Sequence, residues 1–508
     1  MSDLILAIDR GTTNVKASLY DISLNDIAVS SHANPPVLSP HEHWAEADME
    51  VLWESAAAAV RALWADGHDP ARVRAVVMAG QGNGLFLVDD AGQPVRPAIL
   101  SLDGRATDVI NSWKVDGRYA NAVDRLKSPF VPGAPLPLLA WLADHEPEVL
   151  AQARYALFSK DWIRLKLTGE AATDRSDASG AGLIDHDTQS YAEAVFDDLD
   201  VDAQRLMPPL LASSAQAGVV TSEAAAATGI TAGVPVVVGA HDICACHNGF
   251  ATLSSTALVS IFGTWFINLF ITPSTAGVPL AINHPEPGFF LSGAGDGNAG
   301  AVLDTMIGVF YPGELQRKED VYALVDQEVA SAPPSRMILA PHLFGHALDP
   351  TAIGGLLGIE RNVSRAAIMR AVCEGILLGN MAYLASLPHY ADLDEFWMAG
   401  GGSQSQIIPK MMADIVGRPV NIAQTREMVG RGAAISALIG LGELRSVADA
   451  PRPTIARTFA PDPTMQSYYQ QKLAIMEDLL LAREPLLKRL TSIKMPVKAD
   501  ASSAHSKR

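Results

Sequence analysis

The chain has 508 residues, of which 48% are hydrophobic and 19% are charged, and its formal net charge is −18. This length exceeds what one compact core accommodates, so two or three domains are expected. The high share of hydrophobic residues excludes a disordered protein. The negative charge would repel a phosphate backbone, which disfavours a nucleic-acid-binding protein. Three cysteines do not form a disulfide framework, and no apolar run has the length of a membrane span. We therefore expect a soluble cytoplasmic protein with neither nucleic-acid nor membrane partners.

The first predicted element is a β-hairpin, because "LILAIDRGTTNVKASLYD" consists of two apolar runs around a glycine turn. Its turn amides at Gly11 and the hydroxyls of Thr12 and Thr13 are suited to holding phosphate oxygens. Lys16 would add positive charge there, and Asp9 would bind Mg²⁺ directly or through water. The alternative is an ordinary hairpin turn with threonines on the surface.

A polar cluster follows the next predicted strand, "VRAVVMAG", and surrounds two short apolar strands. It consists of Gln81, Asn83, Asp103 and Arg105. Amide, carboxylate and guanidinium groups together offer the donors and acceptors that a polyhydroxy compound needs. The cluster therefore indicates a sugar site, with ordinary hairpin loops as the alternative.

Two histidines and two cysteines lie close together in "GAHDICACHNGF". A zinc site made of His241, Cys244, Cys246 and His247 is disfavoured, because one residue between the cysteines is shorter than the usual spacing. Buried apolar thiols are the better interpretation. Asp242 follows an apolar strand, at the sheet edge where ligands bind in α/β folds, and an N-cap role is compatible with that position.

The second half repeats these features in the same order. "TALVSIFGTWFINLFIT" predicts another hairpin, with Gly263 and Thr264 at its turn, and both halves contain Met-Ala-Gly and Gly-x-Pro-Val. Ile261 occupies the place of Asp9, and Arg426 occupies the place of Asp242. Both carboxylates belong to the first half, which suits a ligand whose reactive end points toward that half.

Three consecutive glycines occur in "MAGGGSQSQ", between a predicted strand and a predicted helix. Such a run lets a backbone approach a ligand closely, and glycines at a helix N-terminus favour a phosphate or nucleotide site. A flexible loop is the alternative. The repeats together predict two α/β domains facing each other across a cleft, at residues 1–250 and 251–490, with a disordered tail at 491–508.

These motifs resemble the FGGY family of carbohydrate kinases, above all "IDRGTTNVK" and "GGGSQSQIIPKMMADIVGRPV". The resemblance implies two actin-like, ribonuclease H-like domains that flank a catalytic cleft, with the sugar site in the first and the nucleotide site in the second. It implies ATP and Mg²⁺, with Asp242 as catalytic base and Asp9 serving the metal. The turn at Gly263 and Thr264 would contact the γ-phosphate end. Gly401 and Gly402 would lie against the nucleotide.

"GQGNGLFLVD" and "AILSLDGRA" are most similar to the L-xylulose kinase branch of that family. Leu138 replaces a lysine usual in the family, Gly82 and Asn83 replace the Met-His of D-xylulose kinases, and "GHALDP" replaces a Gly-Glu-Arg segment. We therefore expect phosphorylation of a ketopentose such as L-xylulose. The alternatives are an erythritol-like polyol kinase, an actin- or Hsp70-like ATPase and a non-catalytic sugar sensor. A homodimer is compatible with the sequence.

Overall fold

The computed structural model describes residues 3–317, 320–343, 353–385, 387 and 390–482. The tail predicted at 491–508 and the segment "GHALDP" lie outside these residues.

The first half of the chain alternates strands and helices. Its strands are β1 (Leu4–Arg10), β2 (Asn14–Asp21), β3 (Asp26–Ala33), β4 (Glu46–Ala47), β5 (Val73–Gly80), β6 (Phe86–Val88), β7 (Ala98–Ile99), β8 (Tyr155–Leu157), β9 (Thr173–Asp174), β10 (Ile184–Asp185), β11 (Ser190–Tyr191), β12 (Leu210–Leu211), β13 (Gln216–Val219) and β14 (Pro235–His241). Its helices are α1 (Met49–Ala65), α2 (Thr107–Val115), α3 (Arg118–Leu126), α4 (Pro135–His145), α5 (Pro147–Gln152), α6 (Ser159–Thr168), α7 (Arg175–Gly180), α8 (Glu193–Asp198), α9 (Ser222–Thr228) and α10 (Asp242–Gly249).

The second half of the chain also contains alternating strands and helices. Its strands are β15 (Ala257–Phe262), β16 (Phe266–Thr272), β17 (Ile282–Asn283), β18 (Phe290–Asp296), β19 (Ile338–Ala340), β20 (Gly355–Leu357), β21 (Glu395–Ala399), β22 (Val420–Ala423) and β23 (Ile455–Phe459). Its helices are α11 (Gly300–Phe310), α12 (Pro312–Gln316), α13 (Val321–Ser331), α14 (Arg365–Ala385), α15 (Ile408–Val416), α16 (Met428–Gly440) and α17 (Pro463–Ala482).

The two large sheets, of six and seven strands, share the arrangement of their central strands. The first runs β3-β2-β1-β5-β14-β13, and the second runs β17-β18-β16-β15-β21-β22-β23. In each sheet a hairpin is followed by two parallel strands and one antiparallel strand. The repeat predicted from the sequence is therefore a structural duplication, and the two-domain actin-like fold is confirmed. The boundary predicted near residue 250 lies between β14 and β15.

Apolar residues on both faces of the central strands form the cores, as expected for parallel strands covered by helices. Leu4, Leu6 and Ile8 of β1 pack toward α1, whereas Ile5 and Ala7 pack toward α10 and α16. The Asp48 carboxylate caps α1 by accepting from the amides of Glu50 and Val51.

The two domains meet where α10 crosses α16. Glycine allows the close approach, because a Cβ at Gly432 would lie 1.7 Å from the carbonyl oxygen of Ala245. The Asn248 amide donates to the Gly432 carbonyl at 2.7 Å across the crossing. The helix that begins at Asp242 is thereby held between both domains.

Among the described residues, only α14 is long and apolar enough to span a membrane. Of its most apolar window, 78% is buried inside the protein. Burial to that extent is typical of the core helix of a folded domain.

Candidate active site

The carboxyl ends of β1, β5 and β14 meet at one edge of the first sheet. These strands are parallel, with Arg10 and His241 both in register with Gly80. Asp9 therefore lies one position back on β1, and Asp242 follows directly after β14. The fold brings together the two carboxylates that the sequence singled out, although they are 233 positions apart in the chain.

Asp242 is the first residue of α10, and His241 occupies the N-cap position without a side-chain capping bond. The N-cap role considered for Asp242 is therefore wrong, because the N-cap is the preceding residue, His241. The carboxylate still lies at the positive end of the helix dipole and accepts from the Ile243 amide. This location leaves most of the carboxylate free for another partner.

Burial dominates the electrostatics of both carboxylates. It raises the pKa of Asp242 to about 7, although 27% of that side chain remains exposed, and the charges of Asp9 and Asp177 act in the same direction. Burial also raises the pKa of Asp9 to about 6, against the lowering effect of Lys16. A carboxylate whose pKa lies near neutrality is a candidate general base.

Arg10 belongs to this site, although sequence reasoning did not select it. Its side chain is buried, with the residue 2% exposed, and its charge acts on both Asp9 and Asp242. The guanidinium Nε and Nη1 atoms have no hydrogen-bond partner within the described residues. A buried cation with free donors beside two carboxylates is suited to an anionic ligand. The sequence feature that could have identified Arg10 is its position directly after Asp9.

The first hairpin turn presents Thr12 and Thr13 to solvent, while the Gly11 amide donates to the Asn14 carbonyl at 3.1 Å. Lys16 lies on β2 with its amine 2.8 Å from the Glu427 carboxylate of the second domain. Glu427 was also missed by sequence reasoning, because its partner is remote in the chain. The cation predicted near phosphates is thus part of a contact between domains.

The matching turn in the second domain lies between β15 and β16. The Gly263 amide donates to the Trp265 carbonyl at 2.8 Å, and the Gly300 amide at the start of α11 donates to the Gly263 carbonyl at 3.1 Å. Thr264 is exposed at the tip of this turn. Both domains therefore present a threonine-bearing glycine turn.

The glycine run is not at the N-terminus of an α-helix, which corrects the prediction. Gly401–Gln404 forms a 3₁₀ turn, and α15 begins four residues after it, with the Ser405 hydroxyl accepting from the Ile408 amide at 3.0 Å. A polar Ser-Gln-Ser stretch delays the α-helix. Gly401 is exposed, with no atom within 4 Å of a Cβ placed on it, whereas a Cβ at Gly402 would lie 2.4 Å from the Phe262 ring.

The loop after β5 contains two of the predicted sugar contacts. Gln81 is 7% exposed, and neither its Oε1 nor the buried Oδ1 of Asn83 has a hydrogen-bond partner among the described residues. Asn83 adopts the left-handed conformation, with φ of 60°. Asparagine tolerates this conformation better than most residues, and such strain is common at ligand sites.

Asp103 and Arg105 form a buried ion pair in the same region. Arg105 donates to both Asp103 oxygens, at 2.9 and 2.8 Å, and to Glu46 at 2.6 Å. Its guanidinium lies 3.8 Å from the ring centroid of Trp44. One nitrogen, Nη1, is buried without a partner. Asp103 therefore holds Arg105 in place, and Arg105 retains one donor.

His241 connects this loop to Asp242. Its Nε2 lies 3.4 Å from the Asp242 carboxylate, and a Cβ at Gly82 would lie 2.6 Å from the same nitrogen. Burial lowers the pKa of His241, which disfavours the protonated ring. Glycine at position 82 thus makes room for the histidine, a pairing that the separate motifs did not reveal.

The described residues contain no group of three or more His, Cys, Asp or Glu side chains that could hold a metal ion. Cys244 and Cys246 are buried at 0% and 2% exposure, and burial raises the pKa of both thiols. His247 instead contacts His284, with 3.3 Å between their ring nitrogens. The cysteines are core residues.

Comparison with known proteins defines the class to which this two-domain fold belongs. Residues 4–249 match the N-terminal domain of the FGGY family of carbohydrate kinases, and residues 258–441 match its C-terminal domain. The chain belongs to the FGGY family of carbohydrate kinases. It is an ATP-dependent sugar kinase.

The chain is also similar to individual kinases. The chain is 29% identical to an L-xylulose/3-keto-L-gulonate kinase of Escherichia coli strain K12, over 95% of this chain and 97% of the relative. It is 26% identical to the autoinducer-2 kinase of the same strain, over 92% of each chain. Among solved structures, a xylulose kinase from Rhodospirillum rubrum superposes with a TM-score of 0.84 at 25% identity, covering 96% of this chain and 100% of that one.

Proposed function

We propose that this kinase phosphorylates a ketopentose such as L-xylulose and that Asp242 is its general base. The observation that carries the proposal is the carboxylate of Asp242 at the sheet edge, with its pKa raised to about 7 by burial. The charge of Arg10 acts on Asp242. Within the part of the chain that the structure describes, Nε and Nη1 of Arg10 and the amide oxygens of Gln81 and Asn83 are buried without hydrogen-bond partners. A base, an anion-binding cation and hydroxyl-binding groups are the parts that sugar phosphorylation needs.

In the proposed reaction, Asp242 accepts the proton of the sugar hydroxyl while that oxygen bonds to the γ-phosphorus of ATP. The bond from the γ-phosphorus to the bridging oxygen breaks, and ADP leaves. Thr12, Thr13 and Thr264 hold the phosphates from the two turns. Closure of the domains aligns the groups and excludes water, which would otherwise accept the phosphoryl group.

The residues present fit a magnesium ion. Among the described residues the Asp9 Oδ1 atom is buried without a hydrogen-bond partner, and the charge of Asp9 acts on the Asp242 carboxylate. Mg²⁺ is usually bound by one or two carboxylates together with substrate phosphates. When bound, the ion would neutralise charge on the β- and γ-phosphates, and Asp9 would hold it directly or through water.

Several observations support a ketopentose as the acceptor. The unpartnered oxygens of Gln81 and Asn83 and the free Nη1 of Arg105 provide acceptors and one donor for sugar hydroxyls. Glycine at 82 and asparagine at 83 depart from the Met-His of D-xylulose kinases, and one relative is named for L-xylulose. We therefore expect L-xylulose, or a close relative, to be preferred over D-xylulose.

The test is ADP release by purified enzyme with L-xylulose, D-xylulose, erythritol and hexuloses. Asn83→Gly removes the side chain without the backbone strain that alanine would suffer at a φ of 60°. We expect kcat/KM for the preferred sugar to fall about tenfold or more in this variant, the cost of one unmet polar group. Asn83→Asp is the matched control that keeps the acceptor oxygens.

Five results would each contradict a part of the proposal. D-xylulose as the better substrate, or an Asn83→Gly enzyme with unchanged kcat/KM, would refute the assignment of this loop. Preference for erythritol would favour the polyol kinase. ATP hydrolysis that no sugar stimulates would favour the ATPase, and sugar binding without turnover would favour the sensor.

A further inference from the structure

A cavity lies where the two domains meet, apart from the paired carboxylates. It has a volume of about 370 Å³, and residues of both domains line it. The first domain contributes Arg175 and His186, and the second contributes Asn283 and Phe290. Asp9, Asp242 and the predicted sugar contacts are not among its lining residues. This volume is within the range of small-molecule sites.

Arg175 is the charged side chain of the cavity lining. Its Nε donates to the Gln189 carbonyl at 3.4 Å, and no carboxylate within the described residues pairs with it. The two terminal nitrogens of the guanidinium therefore remain available. A planar guanidinium with free donors in a cavity favours a phosphate or carboxylate.

Two further lining residues provide buried hydrogen-bond acceptors. His186 bonds through Nε2 to the Leu126 carbonyl at 3.0 Å, so that nitrogen bears the proton and Nδ1 is the acceptor. Within the described ranges this Nδ1 is buried without a hydrogen-bond partner, and burial lowers the pKa of the ring. The amide nitrogen of Asn283 donates to Gln189, whereas its Oδ1 is also buried without a partner.

We propose that this cavity is a binding site for a small hydroxylated anion, of the class of sugar phosphates and sugar acids. The anionic group binds Arg175, and ligand hydroxyls donate to His186 Nδ1 and Asn283 Oδ1. Pro285 and Phe290 supply the apolar walls against which a sugar backbone packs. The site is separate from the proposed catalytic centre, so refuting the proposal for this cavity would not refute the proposed function.

The location also couples the cavity to the catalytic helix. His284 lines the cavity, accepts from the Glu286 amide on Nδ1 at 3.0 Å and therefore donates from Nε2 to His247 of α10. At the other side, α7 begins at Arg175 and ends at Gly180, where a Cβ would lie 3.2 Å from the His241 ring. The cavity therefore lies close to residues at both ends of the helix that bears Asp242.

The test is isothermal titration of the full-length protein with ribose 5-phosphate, gluconate and neutral ribose. We expect the anions to bind and ribose not to bind at the same concentration. Arg175→Ala should weaken anion binding about tenfold or more, which is typical of losing a charge-assisted pair. Without a probe present, Arg175→Ala should keep the kcat/KM of the wild type. Ala212→Phe, which blocks the cavity and leaves the cation, should also abolish binding.

Arg154→Ala is the matched control, because Arg154 lines a neighbouring cavity of about 480 Å³ that also contacts Arg175. Equal loss in Arg154→Ala and Arg175→Ala would assign the ligand to that neighbouring cavity and overturn the proposal. Unchanged affinity in both Arg175→Ala and Ala212→Phe would place the ligand in the catalytic cleft. Ribose binding as tightly as ribose 5-phosphate, or no heat from either anion at millimolar concentration, would also refute it.

Discussion

Replacing Asp242 by asparagine should lower turnover and raise stability at the same time. Burial raises the pKa of this carboxylate from 3.8 to about 7, so the folded protein disfavours its ionised form. The penalty is present above pH 7, decreases as the pH falls through the folded-state value and vanishes below the unfolded-state value. Asparagine has a similar shape and no charge, and it removes this penalty.

The size of the expected stability gain follows from the pKa shift of Asp242. Each pKa unit corresponds to about 1.4 kcal/mol, so a rise from 3.8 to about 7 sets an upper limit of about 4 kcal/mol. Because 27% of the Asp242 side chain is exposed, water retains part of its solvation. We therefore expect Asp242→Asn to raise the free energy of unfolding by about 2 kcal/mol at pH 8.5.

The assay compares the melting temperatures of wild type and Asp242→Asn at pH 8.5 and pH 4.5, together with ADP release. We expect a gain of a few degrees at pH 8.5, little difference at pH 4.5, and turnover lowered about a hundredfold or more. Asp90→Asn, at a side chain 91% exposed, is the control and should change neither quantity. An Asp242→Asn protein that melts below the wild type at pH 8.5, or that keeps normal turnover, would refute the reasoning.

Three further predictions concern the same site. The kcat/KM of the wild type should fall as the pH is lowered through about 7, because Asp242 then becomes protonated, and a rate unchanged from pH 8 to pH 5.5 would contradict this. Gly82→Ala should lower kcat/KM about tenfold by displacing the His241 ring, and His241→Ala in the same chain should recover part of the loss; additive losses in the double variant would exclude a direct contact. Cys244 and Cys246 should resist a thiol reagent in the native protein and should be replaceable together by alanine, at the cost of about 2 kcal/mol of stability and without loss of activity; rapid labelling, or zinc in the purified protein, would contradict their assignment to the core.

The sequence by itself determined the repeated architecture. Apolar runs, glycine turns and the Gly-x-Pro-Val segments are local patterns, and each one predicted an element that the structure contains. Their recurrence in the same order predicted two similar domains, because similar local sequences form similar units. Asp9 and Asp242 were identified in the same way, as carboxylates at the ends of apolar strands.

Only the tertiary structure decided which of these residues meet and which are already engaged. The contact of Lys16 with Glu427 spans 411 positions, and no local pattern encodes it. The Asp103 and Arg105 side chains were selected for their chemistry, but the fold pairs them with each other and leaves one free nitrogen. Periodicity and turn chemistry act over a few residues, whereas burial, ion pairing and shared cavities depend on how distant segments pack.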